Sequence, residues 1–167
     1  TANRHIYTTK LQRRRYTDSI VKIIDNLEYI DSKELKLPGR YAKISNEVEK
    51  QILSKLFATG KNIAYYADEK GKPFYYRTSG GRYFNVISDI PTGSTQDKTY
   101  CVISDYSKII VAILSTNLFW FYQQVYTDGL HIKLTELEMF PLPDLEKVSR
   151  ETISQINNKY FKYKNSS

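Results

Sequence analysis

Residues 106–125 constrain the fold more than any other stretch. Tyr106 to Leu114 is apolar on nearly every side of a helix, and such a helix has to be buried. Ser115-Thr116-Asn117 interrupts it, and Leu118 to Val125 resumes as a helix carrying Phe119, Trp120, Phe121 and Tyr122. The longest apolar run, Ile109 to Leu114, falls well short of the ~18 residues a membrane span needs. The two helices therefore read as the core of a globular domain, and no membrane partner is expected.

The remaining elements have to cover that core. Arg4 to Leu11 reads as a strand or extended arm, and Ser19 to Asn26 as a short helix capped by Thr17. Leu37-Pro38-Gly39-Arg40 is a turn. Asn46, with Glu49 three residues on, opens a helix whose face is expected to be Val48, Ile52, Leu53, Leu56 and Phe57, ending before Gly60. Three short strands are predicted next: Asn62 to Ala67, Phe74 to Thr78 and Arg82 to Ile87. They are separated by turns at Lys70-Gly71-Lys72-Pro73 and Ser79-Gly80-Gly81. A polar loop from Asp89 to Lys98 leads to a strand at Tyr100 to Ile103, where Cys101 is expected to be a buried thiol. Phe140-Pro141-Leu142-Pro143 must be extended. Asp144 is expected to cap a last helix reaching about Tyr163, with Leu145, Val148, Thr152, Ile156, Tyr160 and Tyr163 on one face.

The expected fold class is α+β: a small, twisted, mostly antiparallel sheet with hairpins, packed against several helices, with a long C-terminal helix. Residues 1–167 suit a single domain, with 1–40 as an N-terminal arm or linker and 144–164 as the C-terminal helix. The chain begins at Thr1 without a methionine, so it is expected to be a fragment of a longer protein.

Charge narrows the partner. Lys and Arg outnumber Asp and Glu by 25 to 18, which draws a chain of this size towards polyanions, chiefly nucleic acid. The excess is concentrated in residues 1–43, at net +5, whereas residues 99–143 carry net −2 and look like core. Fifteen tyrosines add residues that can stack on bases or bond phosphates.

Catalytic signatures are missing. No glycine-rich loop for S-adenosylmethionine is present, and no Asn/Asp-Pro-Pro-Tyr/Phe motif for gripping a flipped adenine. Gly80-Gly81 is too short to cradle a phosphate chain. Asp68-Glu69-Lys70 and Glu34-Leu35-Lys36 match a nuclease acid-x-Lys triplet by count, but a solvated charge run explains them as well. His5 and His131 lie far apart in the chain, and the lone cysteine allows no cysteine zinc site. No catalytic, cofactor or metal residue is assigned. The chain reads as a binder rather than an enzyme.

Three segments carry a resemblance. The first runs from Tyr41 to Leu53, opening Tyr41-Ala42-Lys43-Ile44-Ser45-Asn46, a Lys-Ile loop feeding a helix. The second is Phe74 to Phe84, containing Tyr75-Tyr76-Arg77-Thr78-Ser79-Gly80-Gly81-Arg82. The third runs from Ala112 to Tyr122, then Asp128-Gly129-Leu130-His131, then Glu138-Met139-Phe140-Pro141-Leu142-Pro143. In this order they resemble the C-terminal specificity domain of type IIG and related restriction–modification adenine methyltransferases, the TaqI-like specificity class. Ser115-Thr116-Asn117 stands where that class usually has asparagine-serine.

The resemblance implies a bacterial, cytoplasmic target-recognition domain that binds double-stranded DNA. It also implies a methyltransferase domain of the same parent chain as partner, with S-adenosylmethionine bound there and no cofactor here. The parent is expected to methylate DNA and could also cut it. The candidate DNA-binding residues are Arg13, Arg14, Arg15, Lys70, Lys72, Arg77, Ser79, Arg82, Lys98, His131 and Lys133. Arg77 and Arg82 flank Gly80-Gly81 and would share a hairpin tip, where they either meet DNA or face solvent and pair with acids. Asp128 is equally suited to holding its own loop. The 89–98 loop is the expected place for base readout. Three other readings stay open: a nonspecific single-strand DNA- or RNA-binding module, a small metal-dependent nuclease, and a protein-interaction domain whose basic charge is incidental.

Overall fold

The computed structural model describes residues 4–12, 19–79, 87–129 and 131–164. Within them the fold is α+β, with helices packed on small antiparallel sheets. The N-terminal arm contributes only β1 (Tyr7–Thr8), which pairs with β2 (Ile30–Asp31). Asp31 fastens this arm. It accepts the Ile6 N–H and meets the His5 ring at 2.5 Å, and chiefly that His5 bond holds its carboxyl down at about 2. Between the two strands lies α1 (Ile20–Asp25), which buries none of its residues; the proposed Thr17 cap lies outside the described residues.

Helix α2 (Glu47–Phe57) begins where its cap predicts. The Asn46 side chain accepts the Glu49 N–H at 2.9 Å, and the Glu49 carboxylate reaches back to the Ser45 N–H at 2.8 Å. Its buried face is narrower than expected. Leu53 and Leu56 are buried and Phe57 packs edge-on against Tyr126, but Val48 and Ile52 are exposed, because the core touches only the helix's C-terminal half.

The strand region departs most from expectation. After β3 (Lys61–Asn62) the chain makes a 3-10 turn over Ile63–Tyr66, so 62–67 is not one strand. One long strand, β4 (Ala67–Arg77), then replaces the predicted turn and second strand. Ala67 and Lys72 both face Val102, so residues 68–71 bulge out of the ladder. The turn chemistry of Lys70-Gly71-Lys72-Pro73 is used in that bulge: Asp68 Oδ1 accepts the Lys70 N–H. Gly71 is required there, since a Cβ would stand 2.0 Å from the Val102 carbonyl oxygen. β4 lies between β5 (Ile87–Ser88) and β6 (Asp97–Val102), antiparallel to both. Residues 80–86, which include the predicted Ser79-Gly80-Gly81 turn and most of the third strand, lie outside the described residues apart from Ser79. β6 begins at Asp97, so Lys98 is a strand residue rather than part of the loop, and Cys101 is only half-buried.

Helices α3 (Ser107–Leu114) and α4 (Asn117–Tyr126) form the core as the sequence implied, with the break at Ser115-Thr116. Phe119 and Tyr122 meet the Phe140 ring edge-on at 5.0 and 5.1 Å, and all three are buried. Truncating Phe119 to alanine in such a cluster costs about 3–5 kcal/mol. Helix α5 (Leu134–Glu138) leads into β7 (Pro141–Leu142), which pairs with β3. The last helix, α6 (Arg150–Lys164), starts later than expected. Asp144 opens a turn instead, while the Leu145 N–H donates to the Tyr66 hydroxyl, and Ser149 accepts the Thr152 N–H. That shift rotates the buried face: Ile153 is buried, whereas Thr152 and Ile156 are exposed. Tyr160 keeps its expected place and meets Ser115 Oγ at 2.9 Å.

Candidate nucleic-acid interface

The far end of β4 is where separate segments of the chain converge. Thr78 accepts the Ile132 N–H on its carbonyl and donates its own N–H to the Gln96 carbonyl, each at 3.1 Å. Ser79 forms a backbone bridge with His131, and its hydroxyl donates to Gln96 Oε1 at 3.1 Å. The β4 end, the 89–96 loop and the 128–133 loop are therefore bonded into one surface. Two expected residues, Ser79 and His131, touch directly.

Asp128 and His131 hold each other. The Asp128 carboxylate accepts the His131 N–H at 2.9 Å and lies 3.0 Å from His131 Nδ1. Lys133 follows at the mouth of a shallow depression of about 420 Å³, lined also by Arg40, Tyr41, Lys43, Asp128 and Glu136. Glu136 is buried, yet both its oxygens are satisfied: Arg40 Nη1 donates at 2.7 Å and the Lys133 N–H at 3.0 Å. Breaking a buried pair of this kind costs about 3–5 kcal/mol, because a charge is left without its counter-ion. Lys43 donates its ammonium to the Thr127 carbonyl. Burial pushes the Lys43 ammonium below its usual value, against the opposing pull of Asp128 and Glu136. Arg40 and Lys43 were not among the candidates from sequence. They lie more than eighty residues before their partners Glu136 and Thr127, and only the fold brings them together. The one sequence signal was Lys43 in the Lys-Ile loop.

The other expected residues scatter. Lys70 and Lys72 are exposed at the bulge, at the opposite end of β4. Lys98 is exposed opposite Tyr76, and cross-strand partners share a face. Arg77 sits opposite Asp97 on the other face, so Arg77 and Lys98 do not act on one side of the sheet. Arg77 is engaged within the protein: its Nη2 donates to Thr92 Oγ1 at 3.2 Å, and its Nε lies 3.9 Å from Asp97 Oδ1. Arg13, Arg14, Arg15 and Arg82 lie outside the described residues, and with Arg82 so does the shared hairpin tip.

Among the described residues no group of three His, Cys, Asp or Glu side chains could hold a metal ion, and no helix is long and apolar enough to cross a membrane. A second groove, about 510 Å³, runs between Asp105–Lys108 and α6. Its lining mixes Lys108 and Arg150 with Asp105 and Glu146 and includes none of the expected residues. Comparison with protein-family models, curated proteins and solved structures finds no match for this chain.

Proposed function

We propose that this chain binds double-stranded DNA sequence-specifically, as the non-catalytic target-recognition domain of a restriction–modification adenine methyltransferase. The observation that carries the reading is the convergence at the far end of β4, where a polar loop at 89–96 adjoins a depression lined by Arg40, Lys43 and Lys133. Duplex recognition needs cations that fix register on the phosphates and polar groups that read base edges. The depression supplies the first and the loop the second. Both acids near the cations are committed to internal partners, so the ammonium of Lys133 and the free donors of Lys43 and Arg40 are what the surface offers an anion. In this reading a methyltransferase domain of the same parent chain binds S-adenosylmethionine and supplies the other wall of the DNA cleft.

A second reading has one observation in its favour. Tyr41 lines the same depression and is 44% exposed, which suits stacking on an unpaired base. Selection from a random duplex pool, followed by titration against salt, separates the two. A short enriched duplex motif with affinity falling steeply with salt is the expected result. Equal affinity for every duplex, with single strands preferred, favours the second reading. Salt-independent binding, or none, removes both.

A further inference from the structure

Resting on the DNA-binding reading, we infer that Arg77 is a positioning residue that locks the 89–96 loop into its reading shape and does not contact phosphate. The sequence left two roles open for Arg77, a DNA contact or a pairing with acids, and the geometry points to the second. The geometry is that of a clasp. Asp97, the first residue of β6, accepts the Thr92 N–H at 2.8 Å and the Thr92 hydroxyl at 2.7 Å. Arg77, directly across the ladder from Asp97, reaches the same hydroxyl from β4. The Asp97 side chain is only 12% exposed, and that of Arg77 28%. The Asp97 N–H closes the base of the loop on the Ser94 carbonyl at 3.0 Å. Thr92 is thus gripped by a carboxylate from one strand and a guanidinium from its neighbour.

A second tie sits one step along. Gln96 Oε1 accepts from both Thr78 and Ser79 hydroxyls. With its oxygen so engaged, exposed Gln96 has its amide N–H groups as the donors it can offer an acceptor-rich base edge. The tip residues Ile90, Pro91, Gly93 and Thr95 are exposed around it. Preorganisation of this kind contributes to recognition by removing the entropy cost of ordering a loop when the ligand arrives. The carboxyl of Asp97 is held below its usual value, first by the Thr92 hydroxyl, which agrees with a tightly bonded anion at the clasp.

The test uses the full chain with Arg77→Ala, Arg77→Lys and Asp97→Asn. Amide hydrogen exchange at Thr92, measured without DNA, is expected to quicken in all three, because a lysine ammonium cannot reproduce the planar guanidinium that bonds the Thr92 hydroxyl while lying beside the Asp97 carboxylate. Discrimination between the enriched duplex and a scrambled duplex of equal length is expected to fall about tenfold, of the order of one misread base pair. The salt slope is expected to stay unchanged, whereas a lost phosphate contact lowers it by about one. Unchanged Thr92 exchange in Arg77→Ala overturns the inference. So does a slope reduced by about one in Arg77→Ala while Asp97→Asn and Arg77→Lys behave as the parent. Absence of salt-dependent duplex binding by the unsubstituted chain defeats the DNA reading instead, and the exchange measurement still decides the clasp.

Discussion

The two ends of β4 are built from similar residue types and do different work. At the bulge, Lys70 and Lys72 stand in solvent, Asp68 accepts the N–H of nearby Lys70, and the backbone presses Gly71 against Val102. At the other end, Arg77, Thr78 and Ser79 are tied to residues fifteen and more positions along the chain, in two separate loops. Charge alone would rank the bulge as the better DNA site, having two exposed lysines. What distinguishes the far end is that its polar groups are held in place by partners distant in sequence, as a reader of base edges requires. The bulge end is therefore shaped by a close backbone approach, and the far end by long-range bonds; under the proposed reading the far end is the one that meets DNA.

The largest expected effect tests the structural half of that contrast. Gly71→Ala forces a Cβ into the Val102 carbonyl and should destabilise the chain by about 3–5 kcal/mol, measured by urea denaturation. An unchanged midpoint would mean that the bulge yields freely and does not define that end. Glu136→Ala comes next, at the far end. It strips Arg40 and the Lys133 N–H of their acceptor and should cost about 3 kcal/mol by the same assay. A loss below about 1 kcal/mol would show that the depression is held by something else.

A smaller effect is expected from pH. The Asp97 carboxyl is depressed in the folded chain, so its contribution is present above the ordinary carboxylate value of 3.8 and is lost as pH falls through the lower folded value. Below pH 3.8 the Thr92 amide should lose exchange protection before the paired amides of β4 do. Simultaneous loss at both would dissolve the distinction between clasp and strand.

What the sequence made legible follows the range of the forces involved. The Asn46 cap and the buried α3–α4 pair are specified by residues within a few positions of one another, and both stand where the pattern places them. The turn at Lys70-Gly71-Lys72-Pro73 was misread because its residues satisfy a turn locally, while pairing with Val102 keeps the strand going on either side. The start of α6 was misplaced for the same reason: the Leu145 N–H is claimed by Tyr66, from the opposite half of the chain. The site suffered most. Ser79, His131 and Lys133 were on the expected list and lie in or beside the converging loops. Arg40 and Lys43 join them through Glu136, Thr127 and Val125, and no spacing in the sequence announces that.

The most direct measurement compares two doubly neutralised chains in duplex titrations across salt concentrations. Lys43→Gln with Lys133→Gln should weaken binding and lower the slope of log affinity against log salt by about two. Lys70→Gln with Lys72→Gln should leave it within about half a unit of the parent. Equal losses in the two chains, or a larger loss at the bulge, would contradict the assignment of the DNA-facing end.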